Sequence, residues 1–422
     1  MERTLRNTAI KSFFLFIFVI LAVSSAVSAQ EQPPLSFDEA SKLMLRNNPQ
    51  ALAAARSMDA ARSRIAYNKS GLFPQVSANA AYNRLGSEPA PSEESYSYGF
   101  SAAQPLFSPA LPAAIRSARA AYRKAEADYD RIRANLLLDL KTVFSDLIKA
   151  REILKLSGEI IKRRAENVEI IRIKYEAGRE NKAALLETQS AHTTSKWQHE
   201  DYKKNLRLLE RRLNRLLVRS PAERTMVEAL AEPPAPPEDF DSFSKILELH
   251  PSLRSTRASL DSARAAVDRS VSGFLPEAGI NGKYSWSGSD WPDKAKSWSA
   301  GASLSLPLFT SGKLSADLAS SKADKARAEA SLKNSRDEVF LNSEDAFLAW
   351  RQAWSYMDVV RISLEAANAR SWMLRKQYLS GQASYFEWRN VEDQLISAEN
   401  QLLSAKRDLS IAHAAFINSL GE

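Results

Sequence analysis

Four histidines are the side chains of this 422-residue sequence that titrate nearest neutrality, and their spacing opens no obvious chemistry. His192 and His199 lie seven apart on one helical face, His250 precedes a proline, and His413 sits near the end. There is no His-Glu-x-x-His pair for zinc and no nucleophile elbow, and Ser311-Gly312-Lys313 lacks the upstream glycine of a phosphate-cradling loop. Cysteine is absent, which excludes a disulfide framework, a thiolate metal site and lipidation at a mature N-terminus. No catalytic residue, metal ligand or cofactor is therefore expected, and energy for any work must come from a partner.

If the chain does no chemistry, its elements must carry the function. Arg3, Arg6 and Lys11 precede an apolar run from Phe13 to Val23 and then Val27-Ser28-Ala29, the pattern of a secretory signal peptide over residues 1–29. That run falls well short of the roughly 20 residues a spanning helix needs, and no later stretch approaches that length. An exported protein is expected, either soluble or a membrane β-barrel. The leader holds three bases and one acid, so +6 of the formal +8 charge remains after cleavage. Clusters such as Lys162-Arg163-Arg164 and Arg211-Arg212 sit among glutamates in helical sequence, which argues against a nucleic-acid partner.

An offset of 202 residues superposes the chain on itself. Asn48-Pro49 falls on His250-Pro251, Gly71-Leu72-Phe73-Pro74 on Gly273-Phe274-Leu275-Pro276, and Pro105-Leu106-Phe107 on Pro307-Leu308-Phe309. Further on the offset becomes 203, where Tyr175-Glu176-Ala177-Gly178 meets Tyr378-Leu379-Ser380-Gly381. The expected organisation is a first repeat over 30–220, a proline-rich linker over 221–240 and a second repeat over 241–422. Each repeat reads as helix, β-hairpin (74–107 and 276–309), very long helix, helix.

Within the hairpins apolar and small polar residues alternate. Tyr82, Tyr98, Phe100, Ile280, Tyr284, Trp286, Trp298 and Leu304 share one parity, with serine, glycine and asparagine on the other. A soluble sandwich would alternate in the same way. Run lengths near ten, terminal aromatics and a small polar inner face point instead to lipid on the apolar side. The long segments 110–177 and 312–380 carry heptad seams, from Leu136 to Tyr175 and from Val339 to Tyr378, with spacings of four and three. The first is a rod of about 100 Å at 1.5 Å per residue. The shorter helices, expected at 38–72, 179–219, 241–274 and 382–420, would match each rod when stacked end to end. Four strands cannot close a barrel alone, so copies must share one; three copies give twelve strands and a watery bore, whereas two give a filled interior.

Over essentially the whole mature chain these residues resemble the TolC-like outer-membrane efflux family. The likeness rests on Pro74 and Pro276 opening the hairpins, the two Pro-Leu-Phe exits with Gly312 following, and the paired Tyr-x-x-Gly turns. It implies a mainly α fold with a β-barrel part: a homotrimer sharing a 12-stranded outer-membrane barrel that continues into a long coiled-coil-like helical barrel in the periplasm. It also implies an efflux or type I secretion duct, a periplasmic adaptor (membrane fusion) protein, an inner-membrane RND or ABC transporter, and outer-membrane lipid around the barrel. Tyr175, Gly178, Tyr378 and Gly381 would be adaptor-contacting tips, or simply a left-handed turn and the end of a seam. The best studied kind of member closes its periplasmic mouth with acids six and nine residues after the second glycine, places that here hold Glu387 and Asn390; Glu387 is either a gate or a solvated helix residue. The second acid is missing, Ala383 replaces an expected arginine, and Ala184 stands where an acid would help lock the tips. Two other readings compete, a soluble periplasmic coiled-coil scaffold and a trimeric adhesin-type anchor, though the latter would keep its strands contiguous at the C-terminus.

Overall fold

A residue before proline is pushed out of the helical region, and the proline ring lacks the N–H that would continue a helix. Both repeats use this break at the same place. In the computed structural model, which describes residues 34–87, 90–289, 291 and 295–422, the helix expected over 38–72 is two helices, α1 (Phe37–Asn47) and α2 (Pro49–Ser70). Asn48 between them is extended, accepts a hydrogen bond from Gln50 N at 2.9 Å and so caps α2. The helix expected over 241–274 breaks in the same way: a 3-10 turn (Asp241–Phe243) and α5 (Ser244–Leu247) precede α6 (Pro251–Ser272), which His250 caps. The signal peptide expected at 1–29 lies outside the described residues.

Strands β1 (Gln75–Ser87) and β2 (Ala90–Phe107) follow α2, and β3 (Glu277–Gly288) and β4 (Ala295–Ser305) follow α6. The long helices are α3 (Ala110–Glu176) and α7 (Lys313–Ser380); each turns into a return helix, α4 (Lys182–Leu217) and α8 (Tyr385–Ser419). The four strands form one antiparallel sheet in the order β1-β2-β3-β4, so β1 and β4 are edges without a partner among the described residues.

The helices form a wall one helix thick. On one flank of α3 lie α2 above and α4 below; on the other lie α6 above and α8 below, and α7 packs outside those two. The stacking joints are polar: Asn48 Nδ2 donates to Leu216 O at 3.2 Å, and Ser343 donates to Ser419 O at 2.7 Å. Every seam residue except Tyr175 is withdrawn from solvent. At mid-height the linker is strapped on, with Leu35 bridged to Val227 and Arg151 donating to Val227 O and Thr225 O.

Each outer helix keeps a second apolar stripe on the side away from its packed seam. On α7 it is Leu341, Leu348, Val359, Ile362 and Met373, all exposed; on α4 it is Leu186, Trp197 and Leu208. The α7 residues lie two positions beyond seam positions, about 200° around the helix.

Candidate functional site: the sheet face and the helical tips

Register decides which side chains share a face of the sheet. Tyr98 pairs with Ala80 and Trp286, Phe100 with Ala78 and Tyr284, and Tyr284 in turn with Trp298. Tyr82 faces Tyr96, Ile280 faces Ala302 and Leu304 faces Ala278. All eight apolar positions singled out in the hairpins therefore lie on one face. Their rings form a ladder: Tyr98 stacks on Trp286 at 5.2 Å, Trp286 meets Tyr284 at 4.7 Å, and Tyr82 meets Tyr96 at 4.8 Å. The opposite face is hydroxyl-rich, with Ser77 against Ser101 and Ser285 against Ser297, each pair at 2.8 Å.

At the far end of the wall α3 and α7 turn back through two matched tips. Gly178 (φ 70°) and Gly381 (φ 81°) are left-handed. In each tip the glycine N–H donates to the tyrosine carbonyl, and the N–H that follows reaches back past it into the last helical turn: Arg179 N bonds Lys174 O at 2.8 Å, and Gln382 N bonds Gln377 O at 2.8 Å. This is the Schellman arrangement, which needs a residue without a Cβ penalty at the left-handed position. Asn181 caps α4 by accepting from Ala184 N at 2.8 Å, and Ser384 caps α8.

The two tyrosines differ. Tyr175 is 38 % exposed, whereas Tyr378 is 2 % exposed. Its ring stacks on Trp388 at 4.7 Å, and Lys174 Nζ lies 3.7 Å from the ring centroid while donating to Tyr378 O at 2.6 Å. Its hydroxyl donates to Glu180 Oε2 at 3.0 Å, and burial followed by that carboxylate pushes the phenol's pKa up. Thr188 donates to the Tyr385 hydroxyl at 2.9 Å, Arg389 pairs with Glu187, and Arg164 pairs with Asp393 at 2.8 Å. The two helical hairpins are thus tied together inside one chain. Glu180 and Lys174 were not singled out from sequence, because nothing local marks residues whose partner lies about 200 positions away; Trp388, ten residues from Tyr378, was not singled out either.

Glu387 is exposed and occupied locally. Its carboxylate accepts from Ser384 N and Ser384 Oγ, each at 2.8 Å, and these bonds hold its pKa below the usual carboxylate range. Asn390, one turn on, is also exposed. The histidines do not converge: His199 Nδ1 meets Ser157 Oγ at 2.7 Å, His413 packs on Trp350, and His250 caps α6.

A wall of long helices ending in a sheet with one apolar face is a shared architecture, and the model of the outer membrane efflux protein family matches residues 40–218 and 243–422. The chain belongs to the outer membrane efflux protein family. The match leaves out residues 219–242. Among its relatives are the alkaline protease secretion protein AprF of Pseudomonas aeruginosa, 25% identical over 88% of this chain and 81% of that one, and the outer membrane protein TolC of Vibrio cholerae, 24% identical over 71% and 69%. Solved folds agree. The CmeC outer membrane channel of Campylobacter jejuni superposes with a TM-score of 0.78 at 18% identity, covering 91% of this chain and 85% of that one. The open state of the MtrE channel of Neisseria gonorrhoeae gives 0.79 at 19%, covering 91% and 88%. This efflux-family chain is mainly α with a β-barrel part, and its place is the outer membrane, with a large periplasmic portion.

Proposed function

We propose that three copies of this chain close a twelve-stranded barrel and a tunnel of helices beneath it, forming the passive exit duct of a tripartite efflux or type I secretion system. The observation that carries this reading is the sheet: one apolar face in register and two edges without a partner. Open edges are intolerable in lipid, so neighbours must pair them. The free apolar stripes of α7 and α4 support the same arrangement, since each flank of the wall presents what the other flank of a second copy would bury. The names of relatives such as AprF and TolC fit an export role. The chain is read as a conduit and not an enzyme.

In this duct Tyr82, Tyr98, Phe100, Ile280, Tyr284, Trp286, Trp298 and Leu304 face lipid. The left-handed turns at Gly178 and Gly381, with exposed Tyr175, meet a periplasmic adaptor protein, and an inner-membrane RND or ABC transporter supplies the energy. Three copies of Glu387 with Asn390 encircle the mouth and favour cations there, by the logic of acidic filter rings. Planar-bilayer conductance of the purified protein tests the reading, with Glu387→Gln alongside. A cation-preferring channel that loses that preference on substitution is expected; conductance with unchanged preference removes the gate alone, and a monomer that never inserts removes the duct.

A further inference from the structure

The basic excess of the mature chain is not evenly distributed. Four helix ends adjoin the sheet: the last fourteen residues of α2 and α6 and the first fourteen of α3 and α7. Together they hold eleven basic and five acidic residues, a surplus of six, which equals the whole formal charge left after residue 29. The rest of the mature chain sums to zero once the 221–240 linker, with its surplus of four acids, is counted in. The surplus therefore forms a collar about 21 Å deep at 1.5 Å per residue.

Where the sheet meets this collar runs a band of exposed apolar side chains: Leu72, Phe73, Leu106, Phe107, Leu308 and Phe309. They mark where hydrocarbon ends, so the collar begins at headgroup depth. Its most basic part is a groove of about 610 Å³ where α2, α3 and α6 meet, with Arg116, Arg119, Arg123 and Arg264 around Ile65 and Tyr122. Asp268 pairs Arg116 at 2.9 Å, and Asp261 pairs Arg123 at 2.9 Å and Arg264 at 3.4 Å. Two carboxylates thus offset four guanidinium groups, and among the described residues Arg119 has no ion pair.

The groove lies on the outside of the wall. Arg116, Arg119 and Arg123 continue along α3 at spacings of three and four through Glu126 to Asp130, Arg133 and Leu137, and these last three line one groove with Ile246 and Leu249 of the mid-height belt. The belt of three copies would obstruct the bore if it lay inside, so this stripe faces the periplasm and the membrane's inner leaflet.

We infer that this groove binds the anionic headgroup of an inner-leaflet glycerophospholipid, with its phosphate on the guanidinium of Arg119 and its glycerol end over Ile65, on the membrane side of that arginine. Bases clustered beside a membrane segment attract anionic lipid, and arginine matches phosphate geometry. The inference rests on the reading that the sheet is embedded in the membrane.

Native mass spectrometry of the purified full-length protein, titrated with phosphatidylglycerol or phosphatidylcholine, tests it. Preferential binding of phosphatidylglycerol is expected, falling about fivefold per site in Arg119→Gln and weakening in 0.5 M salt, with Arg119→Lys retaining it. Bilayer conductance should be the same for all three proteins. Equal binding of the two lipids, or displacement of phosphatidylglycerol by an equal concentration of inorganic phosphate, would overturn the lipid assignment. A change in anion permeability without a change in lipid preference would place these arginines in the bore and overturn it too. Conductance with no lipid preference removes this inference alone, whereas a protein that inserts into no bilayer removes the duct as well.

Discussion

Tyr378 couples the two tips through three kinds of contact at once, to an indole, an ammonium and a carboxylate. Tyr378→Phe keeps the stacking and deletes only the bond to Glu180, which is expected to cost about 1 kcal/mol of local stability. Amide exchange should quicken around Lys174 to Asn181 while the sheet is unaffected. His250 offers a pH test. Burial lowers its pKa, and its Nδ1 must be unprotonated to accept from Ser252 N at 3.1 Å. The unfolded chain then binds the proton more readily, so the contribution of His250 is complete above its unfolded value near 6.5 and fades as pH falls toward the lower folded value. Its groove also holds Arg131 and Glu338. His250→Asn, which copies the Asn48 cap of the first repeat, is expected to flatten the slope of the thermal midpoint between about pH 5 and 7. An unchanged slope would put the sensitivity elsewhere.

At the scale of elements, the sheet face makes the sharpest demand. Phe100→Arg puts a charge on the apolar face in mid-strand, at a cost of about 2–4 kcal/mol per copy where lipid is deepest. The variant is expected to be lost from outer-membrane fractions, while a charge at Ser299 on the hydroxyl face should be tolerated. Much of this level was legible in the sequence, because periods of two and of three-and-four are local signals. Strand parity and both seams could be read directly from residues such as Phe100 and Leu140. The breaks at Asn48 and His250 were visible as X-Pro pairs but were absorbed into single helices, since proline is also well suited to a first helical turn. What stayed hidden was the cross-tip network: whether Tyr175 or Tyr378 is buried depends on how two distant hairpins lean together, and no spacing encodes that. Glu387 could be placed by resemblance, but its capture by Ser384 depends on where α8 begins.

For the whole molecule, the free flanks of the wall define how copies would meet. Met373 on α7 lies seven residues above the end of its helix, and Ser190 on α4 lies eight above its start. Both are exposed on the unpaired side of their helices, at nearly the same height. Because the chain has no cysteine of its own, Met373→Cys with Ser190→Cys would supply the only thiols. Mild oxidation is expected to give a ladder ending at three chains on denaturing gels, and either substitution alone should leave single chains.

The two unpaired strands at the sheet's margins also have a consequence for gene dosage. A ring needs a good margin from every member, so one copy with a blocked margin spoils the two sound ones it joins. With sound and blocked copies made in equal amounts and mixed at random, about one ring in eight would be wholly sound. Co-expressing a copy with proline in the middle of β4 should thus depress export far more than the halving that simple dilution would give.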